Sequence, residues 1–184
     1  MNKRTKRCFI SIDLPENVKK EILRIQRILQ SKNLFIGSCP QKDNMHITIK
    51  FLGDVNEINI PIIKERLKKI TSEKICLKLN QIGYFGKDQI KVIWAGLEHE
   101  NMNNLKELID NSLKDIIELD KRTFNPHITI ARVKHATHKR LLVHTIEHIN
   151  ISPIEFYVSE FHLKESKLQK TAPEHITLER FILK

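Results

Sequence analysis

The sequence predicts an α+β fold, and two observations carry that expectation. Segments whose apolar residues alternate with the period of a strand are interleaved with segments whose apolar residues recur every three to four positions, the period of a helix. Several strand segments also come as hairpin-like neighbours instead of singly between helices, which argues against a parallel, doubly wound sheet. At 184 residues the chain fits one compact domain over 1–184, built as two tightly packed lobes of about 90 residues each.

Along the chain, the first element is a strand: Cys8, Ile10, Ile12 and Leu14 alternate with Phe9, Ser11 and Asp13. Pro15 is well placed to open a helix, and Val18, Ile22, Ile25 and Leu29 then recur at helical spacing between Lys19, Lys20 and Arg24. A second strand covers 45–52 and stops at Gly53-Asp54, and a second helix fits Ile58 to Ile70. Segments 75–83 and 90–97 read as two strands joined by a turn around Gly86-Lys87-Asp88. A helix from Asn101 to Ile117 turns Leu105, Ile109, Leu113 and Ile116 inward, and a strand comes next over 127–133 after Pro126. A short helix from Thr137 to Ile149 and strands over 154–164 and 175–183 complete the chain. The order strand–helix–strand–helix–hairpin–helix–strand points to two similar lobes.

Composition narrows the partners. Lys and Arg number 32 against 22 Asp and Glu, a formal net charge of +10, and a field of that sign favours a polyanion such as nucleic acid. Cys8, Cys39 and Cys76 form no C-x-x-C pair and fit free thiols in a reducing compartment better than a disulfide framework. The basic start, Lys3, Arg4, Lys6 and Arg7, leads into an apolar run that Asp13 and Pro15 interrupt too early for a signal peptide. No run reaches the roughly 20 apolar residues of a membrane span. The expectation is a cytoplasmic protein with no membrane partner.

The strongest local signal is a repeat. His46-Ile47-Thr48-Ile49 returns 81 positions later (127 − 46) as His127-Ile128-Thr129-Ile130. Residues two apart on a strand share a face, so each copy sets an imidazole beside a hydroxyl and turns its isoleucines into the core. Two such strands facing across a cleft would offer two groups that titrate near neutrality, one to give a proton and one to take it. The hydroxyls can hydrogen-bond non-bridging phosphate oxygens. That set suits phosphodiester chemistry and requires neither metal nor cofactor. The pattern alone also fits polar residues on the wet face of antiparallel strands, and a third copy, His175-Ile176-Thr177, keeps that alternative open. His144-Thr145-Ile146-Glu147-His148 matches a zinc-binding spacing, but its helix is short and has no evident third ligand; it reads as basic surface. Motifs for nucleotide-phosphate loops, dinucleotide folds and the α/β-hydrolase nucleophile are absent from the sequence.

Taken together, "CFISIDLP" at 8–15, "NMHITIKFLG" at 44–53, "KVIWAGL" at 91–97, "FNPHITIARV" at 124–133, "VSEFHLKESKL" at 158–168 and "LERF" at 178–181 resemble the RNA 2′,3′-cyclic phosphodiesterases, also called 2′-5′ RNA ligases, of the two-histidine phosphoesterase superfamily. The resemblance implies a bilobal α+β domain with two antiparallel sheets flanking a central cleft and helices outside. It implies His46 as proton donor to the leaving group, His127 as the base that activates water, and Thr48 and Thr129 as phosphate-holding hydroxyls. The implied partner is RNA with a 2′,3′-cyclic phosphate end, acted on by a monomer. It also implies that His175 and Thr177 are structural. Arg132 matches an Arg that comes after the second motif, but in a regular strand it faces away from His127; either a bulge re-aims it toward phosphate or it supports the lobe from behind. The remaining alternatives are a phosphodiesterase for 2′-5′ oligonucleotides or small cyclic phosphates, and a non-catalytic RNA-binding module.

Overall fold

The computed structural model describes residues 4–118, 123–169 and 173–184. Within them the chain runs β1 (Thr5–Asp13), α1 (Glu16–Ser31), β2 (Phe35–Ser38), β3 (His46–Asn56), α2 (Ile60–Lys68), β4 (Ile75–Phe85), β5 (Val92–His99), α3 (Met102–Leu113), β6 (His127–Ala136), α4 (Lys139–His148), β7 (Glu155–Val158), β8 (Glu160–Lys167) and β9 (Glu174–Ile182), an α+β fold as the patterning predicts. The strands pair in the order β7-β4-β5-β6-β3-β1-β8-β9, with β2 added on the later half of β6, and every pairing is antiparallel.

The two expected sheets meet in one. β3 and β6, the strands that carry the two H-x-T copies, pair at a single position, Ile47 against Ile128. Both side chains are fully buried, so a packed apolar contact marks the seam. Beyond that point β3 commits its backbone to β1, and β6 commits its own to β5 and β2. The strands diverge because each has a better partner elsewhere, and a cleft opens between them.

The helices pack where their apolar spacing directs them. Val18, Ile22, Ile25 and Leu29 of α1 are completely buried, and α1 lies against β6; α4 lies against β4, and α2 against α3 and β9. Each such side chain contributes about 1.5–3 kcal/mol by leaving water, which fixes the helix to its sheet face. No helix among the described residues is long and apolar enough to cross a membrane.

Three local readings change. From Cys8 to Ile12 every side chain of β1 is buried, because its second face lies beneath the cleft and not in solvent. The strand expected over 154–164 is two, β7 and β8, broken at Ser159, with β7 pairing to β4 and β8 to β1. Strand β2 has no counterpart in the patterning. Its four residues include Gly37, where a Cβ would stand 2.1 Å from the Arg132 carbonyl oxygen. Only a residue without a side chain allows β2 to close on β6 there.

Candidate active site

Both H-x-T strands repeat one burial pattern. From His46 to Leu52, and again from His127 to Val133, the order is half-buried, buried, half-buried, buried, buried, exposed, buried. Two consecutive buried residues cannot occur in a regular half-exposed strand, and the pairing shows why they do here. On β3 the register jumps from Thr48–Ser11 to Lys50–Ile10, leaving Ile49 without a partner. On β6 it jumps from Thr129–Trp94 to Ala131–Ile93, leaving Ile130 without one. Each strand therefore carries a β-bulge at the same place, and a bulge reverses the parity of the residues beyond it. Arg132 is thereby turned to the same face as His127 and Thr129, which settles its direction in favour of the bulge. Phe51 occupies the equivalent position on β3.

The bulge on β6 is held from below. Gln26 of α1 is 5% exposed, and its side-chain amide donates to the Ile130 carbonyl at 3.0 Å and to the Pro40 carbonyl at 3.1 Å. A bulged carbonyl lost from the ladder has to find another donor. Gln26→Leu will leave it unpaired in the core, and denaturant unfolding will report a loss of about 1–3 kcal/mol. An unchanged midpoint would mean that water or a shifted strand replaces the amide.

A cavity of about 360 Å³ lies between the two strands, and His46, Thr48, His127, Thr129 and Arg132 all line it. Each imidazole is fixed in the same way. His46 Nδ1 donates to the Asn44 carbonyl at 2.7 Å, and His127 Nδ1 to the Asn125 carbonyl at 2.8 Å. With Nδ1 committed to a carbonyl two residues back, the neutral ring keeps its lone pair on Nε2. His46 Nε2 stands 3.0 Å from Thr48 Oγ1. An aromatic ring supports each histidine: Phe9 lies 5.0 Å from His46, and Phe85 meets His127 edge to face at 4.9 Å.

The surroundings of both imidazoles favour their neutral form. Burial pushes His46 down to about 4, helped by His175 and Lys164 and opposed by the Asn44 carbonyl and Asp13. Burial also lowers His127, with the Arg132 guanidinium adding to the effect and the Asn125 carbonyl opposing it. An entering phosphate anion would offset the positive neighbours and draw protons onto the rings.

Other lining residues escaped the sequence. His175, expected to be structural, forms part of the cavity wall, with its ring 5.1 Å from that of His46. The signal was present as the third H-x-T copy. Its partner Thr177 is exposed and does not line the cavity, so that copy is only half used. Phe51, 56% exposed, also lines the cavity, and its equivalence to Arg132 could have been found only by aligning the two strands beyond their motifs. Ser38 and Cys39 enter from β2 and the residue after it, where no sequence signal exists. Away from the cleft, His144 and His148 stack at 4.0 Å on α4, and His148 Nδ1 donates to the His144 carbonyl. Among the described residues no three His, Cys, Asp or Glu side chains are grouped to hold a metal ion.

The model of the LigT-like phosphoesterases matches residues 12–94 and 97–175 of this sequence, one segment for each H-x-T strand. The chain belongs to the LigT-like phosphoesterase family. Two relatives agree over nearly their whole length. The RNA 2′,3′-cyclic phosphodiesterase of Methanocaldococcus jannaschii is 36% identical over 171 residues, covering 90% of this chain and 91% of the relative. That of Thermotoga maritima is 34% identical over 171 residues, covering 91% and 90%. Among solved structures, TT0787 of Thermus thermophilus superposes with a TM-score of 0.78 at 24% identity, covering 96% of this chain and 97% of the other. E. coli LigT complexed with 3′-AMP superposes with a TM-score of 0.75 at 23% identity, covering 97% and 98%. These structures share the fold, and this LigT-like phosphoesterase is thus an α+β member of a two-histidine enzyme family.

Proposed function

We propose that this phosphoesterase opens the 2′,3′-cyclic phosphate at an RNA end with water and leaves a 2′-phosphomonoester. The observation that carries the proposal is the pair of imidazoles lining one cavity of nucleotide-end size, each with Nδ1 committed to backbone. His127 takes a proton from water, the oxygen attacks phosphorus, the bond from phosphorus to the 3′ oxygen breaks, and His46 protonates that oxygen. Thr48, Thr129 and Arg132 hold the non-bridging oxygens, the guanidinium offering the strongest hydrogen bonds to phosphate. No cofactor takes part in these steps. Phe51 presents an exposed ring on which an unstacked base can lie, as single-stranded RNA recognition requires. If an RNA 5′-hydroxyl takes the place of water, the same proton transfers produce a 2′-5′ linkage.

In the same reading the chain is a monomeric, cytoplasmic domain of two related lobes; the duplicated bulged strands and three free cysteines support it. One observation favours a variant in which the two histidines exchange roles: His46 is the more strongly depressed, and the group with the lower pKa is the readier base.

The test is product analysis on an RNA oligomer ending in a 2′,3′-cyclic phosphate, in EDTA. The expected product ends in a 2′-phosphate with a free 3′-hydroxyl. Cleavage of 2′-5′ oligonucleotides or small cyclic phosphates with the RNA end untouched would favour the alternative substrates. Salt-sensitive RNA binding without turnover would favour a binding module.

A further inference from the structure

The third histidine of the cavity has no role in the chemistry above, yet the fold couples it to His46 in two ways. The first is through aromatic packing. The His175 ring meets His46 edge to face at 5.1 Å and an interplanar angle of 77°, and Phe9 touches both, 4.9 Å from His175 and 5.0 Å from His46. Three rings in mutual contact at these distances constrain one another's rotation. Phe9 is 3% exposed and cannot yield. The second is through Asn44, whose carbonyl receives His46 Nδ1 while its side-chain amide donates to the Pro173 carbonyl at 2.7 Å. One residue thus ties the chain two positions before His175 to the ring of His46. Among the described residues His175 Nδ1 is buried without a hydrogen-bond partner, and the packing on Phe9 and His46 is the contact that holds the ring.

We propose that His175 is a positioning residue for His46, fixing its ring and allowing the pair at most one added proton, so that a second positive charge waits until an anionic phosphate enters. The assignment rests on His46 being one of the reacting histidines. Two cations at this separation in a partly desolvated site repel strongly, and such a pair titrates in two separated steps. The other charges facing these rings leave that repulsion in place. Lys164 of β8 and Asp13 of β1 form an ion pair at 2.5 Å and largely cancel, while Arg132 of β6 adds positive charge on the His175 side. Burial and these neighbours hold both rings below the ordinary histidine range.

The experiment compares His175→Phe with the parent chain. Phenylalanine keeps a ring in the packed trio and removes the second base. The imidazole carbon-bound protons of His46 are tracked by NMR through a pH titration of the ligand-free protein. The expected result is a His46 midpoint raised by roughly one pH unit in the variant. The rising limb of kcat/KM for a cyclic-phosphate RNA end, which the lower of the two histidine values sets, moves up with it, and peak kcat stays within about tenfold of the parent. Should the phenylalanine not be accommodated, His175→Gln, smaller and also non-titrating, gives the same reading. A His46 midpoint that does not move in either variant overturns the inference and leaves His175 as wall alone. The outcome is separable from that of the proposed function: full activity in His46→Ala would defeat the catalytic assignment, whereas the titration shift depends only on the two rings being coupled.

Discussion

Alanine in place of His46 or of His127 will lower kcat by about 10²–10⁴-fold in each case, and the double variant will lose far less than the product of the two. The reason is that acid and base act in one transition state: once either proton transfer is lost, the other assists a step that already fails. Folding should survive, because both rings are only half-buried and each surrenders a single backbone hydrogen bond, to Asn44 or Asn125. Circular dichroism and an unchanged unfolding midpoint would establish that. The roles separate on substrates that differ in leaving group. An aryl phosphodiester expels an oxygen that needs no proton, so the acid variant should recover most of its rate there while the base variant recovers none. Recovery in His46→Ala supports donation by His46; recovery in His127→Ala would exchange the assignments. Near-parent activity of either variant on the RNA end would remove the pair altogether.

The second large effect is on pH. A base must be neutral, so activity rises as pH climbs through its pKa; an acid must be protonated, so activity falls as pH climbs through its own. With His46 near 4 as the acid and His127 lowered from 6.5 as the base, the two are in inverted order in the free enzyme. Between those values the prevailing form has its proton on the wrong ring, and only a minor fraction is productive. The kcat/KM profile, which reports the free enzyme, is therefore a bell that rises through the lower value and falls through the higher, with its maximum between pH 4 and 6.5. Once the phosphate anion is bound, its charge favours protonation of both rings, so the kcat limbs lie at higher pH than those of kcat/KM. Binding of inorganic phosphate should accordingly take up protons, measurable by calorimetry in buffers of different ionisation enthalpy. A kcat/KM maximum at pH 7 or above, with no proton uptake, would show that the burial of His46 does not govern the reaction.

The sequence by itself determined the fold class, because the alternation of Cys8 to Leu14 and the spacing of Val18, Ile22, Ile25 and Leu29 are local properties that survive any tertiary arrangement. It also determined the two motifs, since an imidazole and a hydroxyl two positions apart on a strand share a face whatever lies opposite. What it could not determine was everything that depends on one strand meeting another. Arg132 had two possible directions until the pairing of β6 with β5 left Ile130 out of register. β2 was invisible because four residues containing a glycine have no period of their own and exist as a strand only against β6. His175 looked like the weakest of three equivalent copies, and it reaches the cleft because β9 pairs with β8 and packs its ring on Phe9. Patterning records which face a residue turns to, which is decided within a few residues along the chain. Bulges, seams and cavity walls depend on backbone hydrogen bonds between segments far apart, and only the tertiary structure decides those.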